Sequence, residues 1–335
     1  YASSWIKLHY PAAFLAGLLR SQPMGFYSPA TLTADARRHG VEVRRPDISH
    51  SGVTETLEPL VPGRRGGPTG RASCLRDYES AVPEFDRGAP DESAAHRRDG
   101  GFAVRLGLAG ITGIGEKTAT LIVAERESGG PYASLNDLVR RTGLMEKQLE
   151  ALATAGAFAS LGLETREALW LAGAAALDRP EFLDGTVAAV QPPLFADPTS
   201  YERLASDLWA TGISTDDHPI AHFRSALDAR GVVTSTGLRV HEVGRRIEVA
   251  GLVTHRQRPA TASGITFINL EDEHGLVNVV CSVGVWNRYR HAVRDAPALI
   301  ARGILERSPE GVINIVADAF EDLRTGIAHR SRDFR

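Results

Sequence analysis

The chain has 335 residues, of which 43% are hydrophobic and 24% charged, and its formal net charge is −3. This balance excludes a wholly disordered chain, and the length predicts about two or three domains. No apolar run approaches the ~20 residues of a membrane-spanning helix. The two cysteines, Cys74 and Cys281, are too few for a disulfide scaffold or a Cys-ligated zinc site, and they favour a reducing, cytoplasmic compartment. A net negative charge does not favour the binding of nucleic acid. Any binding of nucleic acid by this chain must therefore use local basic residues and main-chain amides.

The first 48 residues carry apolar side chains at helical spacing. Pro11 interrupts this pattern and predicts a break between two helices. Ser28 and Pro29 predict the start of a third helix, with the serine as its N-terminal cap, and Gly40 predicts its end. The first residues have the pattern of a helix interior, which favours a segment of a longer protein.

A change in composition marks residues 49–100, which are rich in glycine and proline and poor in apolar residues. Such a composition predicts a flexible insertion or linker. An ordered surface segment is the alternative.

The sharpest motif is ITGIGEKTA, at residues 111–119. Gly113 and Gly115 predict a tight hairpin whose main chain can closely approach another molecule. The amides of the hairpin and of the following helix would face outward as an anion site, to which Lys117 adds a charge. An ordinary helix–loop–helix packed through its glycines is the alternative. The residues predicted to hold duplex phosphates are Gly113, Ile114, Gly115, Lys117 and Thr118.

A second, weaker hairpin is predicted around Gly143, which would make residues 101–190 a tandem helix-hairpin-helix domain. The alternative is that Gly143 only ends a helix. The helix after the first hairpin is expected to bury Leu121, Ile122 and Ala124. Acidic and basic residues balance in this region, so binding through it alone should be weak and sensitive to salt.

Residues 245–323 consist of β-rich runs with glycine at their bends and one helix between the third and fourth strands. This order predicts a five-stranded OB-type barrel. Arg256 and Arg258 follow the first strand and are expected to have no role in the core, and Phe267 and Asn269 lie on the next strand. We predict that these four residues bind single-stranded template through charge, stacking and hydrogen bonds. For Phe267, a place in the barrel core is the alternative.

The acidic run Glu271-Asp272-Glu273 predicts a solvated turn, because side chains that alternate along a strand end cannot all face one ion. The histidines show no convincing ligand spacing, and no carboxylate set suits two-metal catalysis. We therefore predict neither a catalytic residue nor a metal site in this chain.

Three long strings point to a known family: SSWIKLHYPAAFLAGLLRSQPMGFYSP, RLGLAGITGIGEKTATLIVAERE and GLVTHRQRPATASGITFINLEDEHGLVNVVC. In this order they resemble the C-terminal part of bacterial C-family DNA polymerases, and most closely the error-prone, DnaE-like branch. The resemblance covers nearly the whole chain except residues 49–100 and 184–200. It implies a multidomain α + β fold with a helical remnant of the fingers at residues 1–48, the helix-hairpin-helix domain and the OB barrel.

The resemblance also implies a parent enzyme that adds deoxynucleotides to a primer during translesion synthesis. Its catalytic palm and the ligands of its Mg²⁺ would precede residue 1, so this chain alone is expected to be inactive. Lys7, His9 and Arg37 are expected near the nucleotide or the template. A non-catalytic DNA-binding accessory protein is the alternative, and an RNA-binding role of the OB region is a weaker third.

Residues 191–244 are predicted to be a linker and a helical connector, and residues 324–335 a basic tail. The linker begins QPPLF, which resembles the peptide with which bacterial polymerases bind the sliding clamp. Gln191, Leu194 and Phe195 would be the anchors. A proline-rich linker that packs its apolar residues on its own domain is the favoured interpretation. The implied partners are duplex and single-stranded DNA, with the clamp and other translesion proteins as further candidates.

Overall fold

The structure of the protein, a computed structural model, describes residues 2–25, 27–61, 93–177, 198–326 and 331–334. Its helices are α1 (Ala2–His9), α2 (Pro11–Arg20), α3 (Pro29–Arg38), α4 (Ser93–His96), α5 (Gly115–Gly129), α6 (Leu135–Thr142), α7 (Glu146–Thr154), α8 (Thr165–Ala175), α9 (Ser200–Thr211), α10 (Arg224–Ala229) and α11 (Val283–Asp295). Its strands are β1 (Val43–Arg44), β2 (Thr56–Pro59), β3 (Phe102–Arg105), β4 (Arg246–Gln257), β5 (Thr266–Glu271), β6 (Leu276–Cys281), β7 (Ala298–Arg307), β8 (Ile313–Asp322) and β9 (Arg332–Phe334).

The described residues divide into two compact units. Unit 1 comprises residues 2–22, 40–61, 97–177 and 198–216. Unit 2 comprises residues 23–25, 27–39, 93–96, 217–326 and 331–334.

Unit 1 combines a small sheet with a cluster of helices. The sheet has the order β1-β3-β2, in which β3 runs parallel to β1 and antiparallel to β2. Helices α5 to α8 enclose an apolar core in which Ile122, Leu149 and Phe158 are almost fully buried. The break predicted at Pro11 is confirmed, since α1 ends at His9 and α2 begins at the proline.

Unit 2 contains the predicted five-stranded barrel. Strands β5, β6, β8, β7 and β4 pair in that order, and an additional pairing between β4 and β5 closes the sheet. Helix α11 lies between β6 and β7, as predicted, and β9 adds to β4 in parallel. A Cβ atom at Gly251 would lie 2.8 Å from the main chain of Glu271, so the close approach of β4 and β5 requires glycine there. Helix α3 begins as predicted, because the Ser28 hydroxyl accepts the Thr31 amide at 3.1 Å.

The prediction of a flexible insertion over residues 49–100 is wrong at both of its ends. Strand β2 pairs with β3 along its whole length, and the Ser51 hydroxyl is buried and donates to the Leu106 carbonyl at 2.7 Å. Asp99 is also buried and accepts the Ala12 amide at 2.8 Å. An average over the segment conceals these short ordered pieces, since the glycines and prolines dominate its composition. Residues 62–92 lie outside the described residues.

The apolar face predicted for α5 is only partly correct. Ile122 is buried together with Ala119, whereas Leu121 and Ala124 are exposed. Residues three positions apart share a helix face, and adjacent residues do not, so burying Ala119 and Ile122 turns Leu121 outward.

The acidic run that begins at the last residue of β5 is not a solvated turn. Glu271 is buried and pairs with Nη1 of Arg38 at 3.1 Å, although burial itself raises the pKa of the Glu271 carboxyl. The buried Asp272 carboxylate accepts the amides of Ser235 at 2.6 Å and Gly275 at 2.8 Å. Hydrogen bonds of the run therefore connect the turn between β5 and β6 to the segment that precedes β4.

None of the helices in the described ranges combines the length and apolar character needed to cross a bilayer.

Candidate nucleic-acid interface

The hairpin of unit 1 presents two glycines to solvent. Gly113 has a φ of +91° and Gly115 a φ of +65°, both in the left-handed region that favours glycine. Both residues are exposed, and a Cβ atom built on Gly115 would meet nothing within 4 Å. A ligand can therefore approach the main chain closely at this point.

The isoleucines of the motif face the other way. Ile111 and Ile114 are 2% and 4% exposed and belong to the core of unit 1. The Ile114 amide donates to the Ile111 carbonyl at 3.0 Å. Ile114 thus anchors the hairpin and does not offer its amide to a phosphate, which corrects its predicted role.

The start of α5 leaves main-chain donors unused. No side chain caps the helix at Ile114, and within the part of the chain that the structure describes the amides of Gly113, Gly115 and Glu116 donate to no other group. The partial positive charge of the helix N-terminus adds to these donors. Lys117 is exposed beside them, whereas the Thr118 hydroxyl accepts Nε2 of Gln148 at 3.2 Å. This arrangement suits a phosphate group.

The second hairpin is less open. Gly143 ends α6 in the left-handed conformation, and its amide donates to the Val139 carbonyl at 2.7 Å. The Met145 amide, just before α7, donates to Oε1 of Gln148 at 2.9 Å. Gly143 therefore does end a helix, and phosphate binding by a second copy stays a prediction.

Arg256 has the core role that the sequence argument excluded. Its side chain is buried, with Nε donating to the Val293 carbonyl and Nη2 to the Ala296 carbonyl, both at 2.5 Å. Nη1 donates to the Ser331 hydroxyl. Arg258, in contrast, is exposed, with its guanidinium carbon 5.9 Å from the ring centroid of Trp286. Of the arginine pair, only Arg258 is placed to reach a ligand.

Phe267 and Asn269 lie on the outer face of the barrel. The side chains of β5 alternate, so that Ile268 and Leu270 fill the core while Phe267 is exposed. Asn269 is half-buried and lies directly opposite Asn278 of β6. The alternative that placed Phe267 in the core is therefore wrong.

Beside this face, unit 2 has an open cleft of about 610 Å³. Its lining includes two arginines and two histidines but no carboxylate, and it includes Asn278. Sequence analysis missed these residues because the cleft joins α3, residues 235–239, β6 and residues 311–313, which are far apart in the chain. The lining residues are Arg38, His39, Ser235, Thr236, Leu238, Arg239, His274, Leu276, Val277, Asn278, Gly311, Val312 and Ile313.

The residues predicted near the nucleotide belong to both units. Lys7 is exposed on α1 of unit 1, and Arg37 of unit 2 donates to the Asp217 carbonyl at 3.4 Å. His9 is fully buried, with its ring centroid 4.4 Å from that of Trp5. This burial corrects the expectation that His9 meets a nucleotide, since its imidazole is a core group.

Two further predictions concern the linker and metals. Gln191, Leu194 and Phe195, the predicted clamp-binding anchors, lie outside the described residues.

Among the residues that the structure does describe, no three His, Cys, Asp or Glu side chains gather as metal ligands. The described residues therefore do not fit the metal ions that a polymerase reaction uses.

Two family models match separate parts of the chain, one in each unit. Residues 40–169 match a family model described as a helix-hairpin-helix motif, and residues 247–323 match one described as an OB-fold nucleic acid binding domain. Part of the chain, 27% of it, resembles 22% of the asparaginyl-tRNA synthetase of Pyrococcus horikoshii, with 19% identity and a TM-score of 0.24.

The whole chain is similar to proteins named error-prone DNA polymerase. It is 54% identical to the one from Cutibacterium acnes, 45% to that from Mycolicibacterium paratuberculosis and 44% to that from Mycobacterium tuberculosis, with 100% of this chain covered each time. The matches cover 30%, 27% and 27% of those relatives, so the chain spans less than a third of their length. Over its whole length the chain is therefore similar to a portion of the error-prone DNA polymerases.

Proposed function

We propose that this chain is the DNA-holding portion of an error-prone DNA polymerase. The amides of Gly113, Gly115 and Glu116, together with Lys117, would hold a duplex by its phosphates, and the barrel of unit 2 would hold single-stranded template. The names of the relatives and the descriptions of the two family models support this proposal.

The observation that carries the proposal is the outward-facing main chain at Gly113 and Gly115. The chain as a whole is acidic, so its field does not attract DNA. Exposed amides without partners at a helix start bind an anion locally and without regard to base sequence. The hairpin would therefore position a duplex but would not read it.

For the single strand, we propose the outer face of β5 and β6 together with the neighbouring cleft. Phe267 offers a ring for stacking, and Asn269 and Asn278 offer hydrogen bonds. Arg258 and the exposed Arg239 supply charge for the phosphates. Arg256 is omitted because its donors are already used inside the barrel.

The activity of the whole protein is part of the proposal. The parent polymerase would join a deoxynucleotide to a primer end. This reaction would use divalent metal ions, namely Mg²⁺, that another part of the protein holds. This chain alone should then extend no primer. The sliding clamp and other translesion proteins remain proposed partners, and a cytoplasmic compartment remains the expected location.

A pair of glycine variants tests the duplex site. Gly115→Ala places a methyl group where the phosphate would approach. Gly162→Ala is the matched control, because Gly162 has a φ of +71°, is exposed, and likewise has nothing within 4 Å of its added Cβ. Both variants carry the same backbone strain, so a difference in DNA binding reports the site.

We expect Gly115→Ala to weaken binding of a fluorescein-labelled duplex at low salt by about tenfold, the value of a hydrogen bond to a charged group. Gly162→Ala should bind like the wild type. Equal affinity of the two variants would remove the hairpin from the interface.

A further inference from the structure

The hairpin is fixed by a helix that lies almost a hundred residues later in the chain. The Thr112 amide donates to the Ala210 carbonyl at 2.7 Å, and the Thr112 hydroxyl donates to the Trp209 carbonyl at 3.2 Å. Both acceptors belong to the last turn of α9, where carbonyls have no partner within the helix. Thr112 thereby gives two of these terminal carbonyls a hydrogen-bond donor.

Trp209 projects from this same contact. Its side chain is 60% exposed, although tryptophan is among the most apolar residues. The face of α9 that packs into unit 1 carries Leu204, Asp207 and Ala210, spaced three residues apart, which turns Trp209 away from the core. Packing within the described residues of unit 1 therefore does not explain the position of this ring.

The chemistry next to Trp209 favours nucleic acid over an apolar partner. The hairpin joined to its main chain offers the exposed amides of Gly113 and Gly115, with the ammonium group of Lys117 nearby on α5. These groups suit a phosphate, and an indole ring suits the sugar or the base attached to that phosphate.

We propose that Trp209 is a DNA-contacting residue that packs its indole against a sugar or base of the strand whose phosphate lies on the hairpin. This inference rests on the proposed function of the hairpin and adds a residue to that site. It gives the site an apolar contribution to affinity that does not depend on salt, since an uncharged ring releases no counterions.

The test compares Trp209→Ala and Trp209→Phe with Trp170→Ala in the full chain. Trp170 lies on α8 and is 48% exposed, which makes it a matched control. Anisotropy of a fluorescein-labelled duplex should show roughly tenfold weaker binding for Trp209→Ala, as for loss of a base–aromatic stack. Trp209→Phe should keep most of the affinity, Trp170→Ala all of it, and the salt slope should stay that of the wild type.

Tryptophan fluorescence provides a second readout. Duplex should quench the emission of the wild type and of Trp170→Phe, and this response should be lost in Trp209→Phe, whose ring still supports folding. If Trp209→Ala binds as tightly as Trp170→Ala, or if Trp209→Phe keeps the quenching, the inference fails while Gly115→Ala still reports on the hairpin. If the wild type binds no duplex, the hairpin proposal and this inference fail together. If another protein, and not duplex, quenches the fluorescence of Trp209, the ring belongs to a protein interface and the inference fails.

Discussion

Arg256 donates from Nη2 to the carbonyl of Ala296 at 2.5 Å, and so ties strand β4 to the end of helix α11. The last carbonyls of a helix lack partners within it, and here a buried guanidinium supplies the donors. The same side chain reaches the Val293 carbonyl through Nε. Arg256 is therefore a structural connection inside unit 2.

Arg256→Ala should destabilise the barrel. It would leave two buried carbonyls without their donors, and we expect the free energy of unfolding to fall by about 2–4 kcal/mol. Arg258→Ala is the neighbouring control and should change it by less than about 0.5 kcal/mol, because Arg258 is exposed. Urea titration of both variants measures the difference. Equal stabilities would show that the hydrogen bonds of Arg256 contribute nothing.

Arg239→Ala tests the cleft. Arg239 lines it without a carboxylate among the lining residues, so we expect weaker single-strand binding and a salt slope reduced by about 0.7. Arg294→Ala also removes an exposed charge, but one that Asp295 already pairs at 2.8 Å. Binding of a labelled oligonucleotide at several salt concentrations should separate the two variants. If they behave alike, only overall charge matters.

Lys117→Gln tests whether the hairpin charge meets a phosphate. The slope of log affinity for duplex against log salt should fall by about 0.9, equally for different base sequences. Arg166→Gln serves as the control, because the Arg166 guanidinium already pairs with Glu202 at 3.1 Å. A slope unchanged in Lys117→Gln would place this charge outside the interface.

Asp207 should make the stability of unit 1 depend on pH. Burial raises the pKa of its carboxyl to about 6, even though Nη2 of Arg45 lies 2.9 Å from Oδ2. The folded chain then binds this proton more tightly than the unfolded chain, so protonation stabilises the folded state. Stability from this group should rise by about 1–2 kcal/mol as the pH falls from about 7.5 to about 5.

The variant Asp207→Asn should lose that increase, as measured by urea titration at the two pH values. Asp216→Asn is the control, since Asp216 is exposed and its Oδ2 lies 3.0 Å from the same Arg45 nitrogen. It should retain most of the pH response. A wild-type response equal to that of Asp207→Asn would contradict the raised pKa of Asp207.

Sequence analysis succeeded where the signal is local. Ser28 before Pro29 specifies the start of α3 by itself, and alternation along β5 with glycine at the bends specifies a barrel strand. Gly113 and Gly115 likewise predicted a tight hairpin, and both residues adopt left-handed conformations there. Such features depend on neighbours in the sequence, so they could be predicted.

What sequence analysis missed depends on tertiary contacts. An arginine pair beside a proline gives no sign that Arg256 will enter the barrel, because its acceptors lie about forty residues away. The cleft joins Arg38 and Arg239 through folding alone.

The most direct measurement is the change in amide chemical shifts as duplex DNA is added to the ¹⁵N-labelled chain. The amides of Gly113 and Gly115 should shift downfield, while those of Thr112 and Ile114, already bonded to carbonyls, should move much less. That result is expected if exposed main chain grips the phosphate. Saturable binding that leaves Gly113 and Gly115 unmoved would contradict the account.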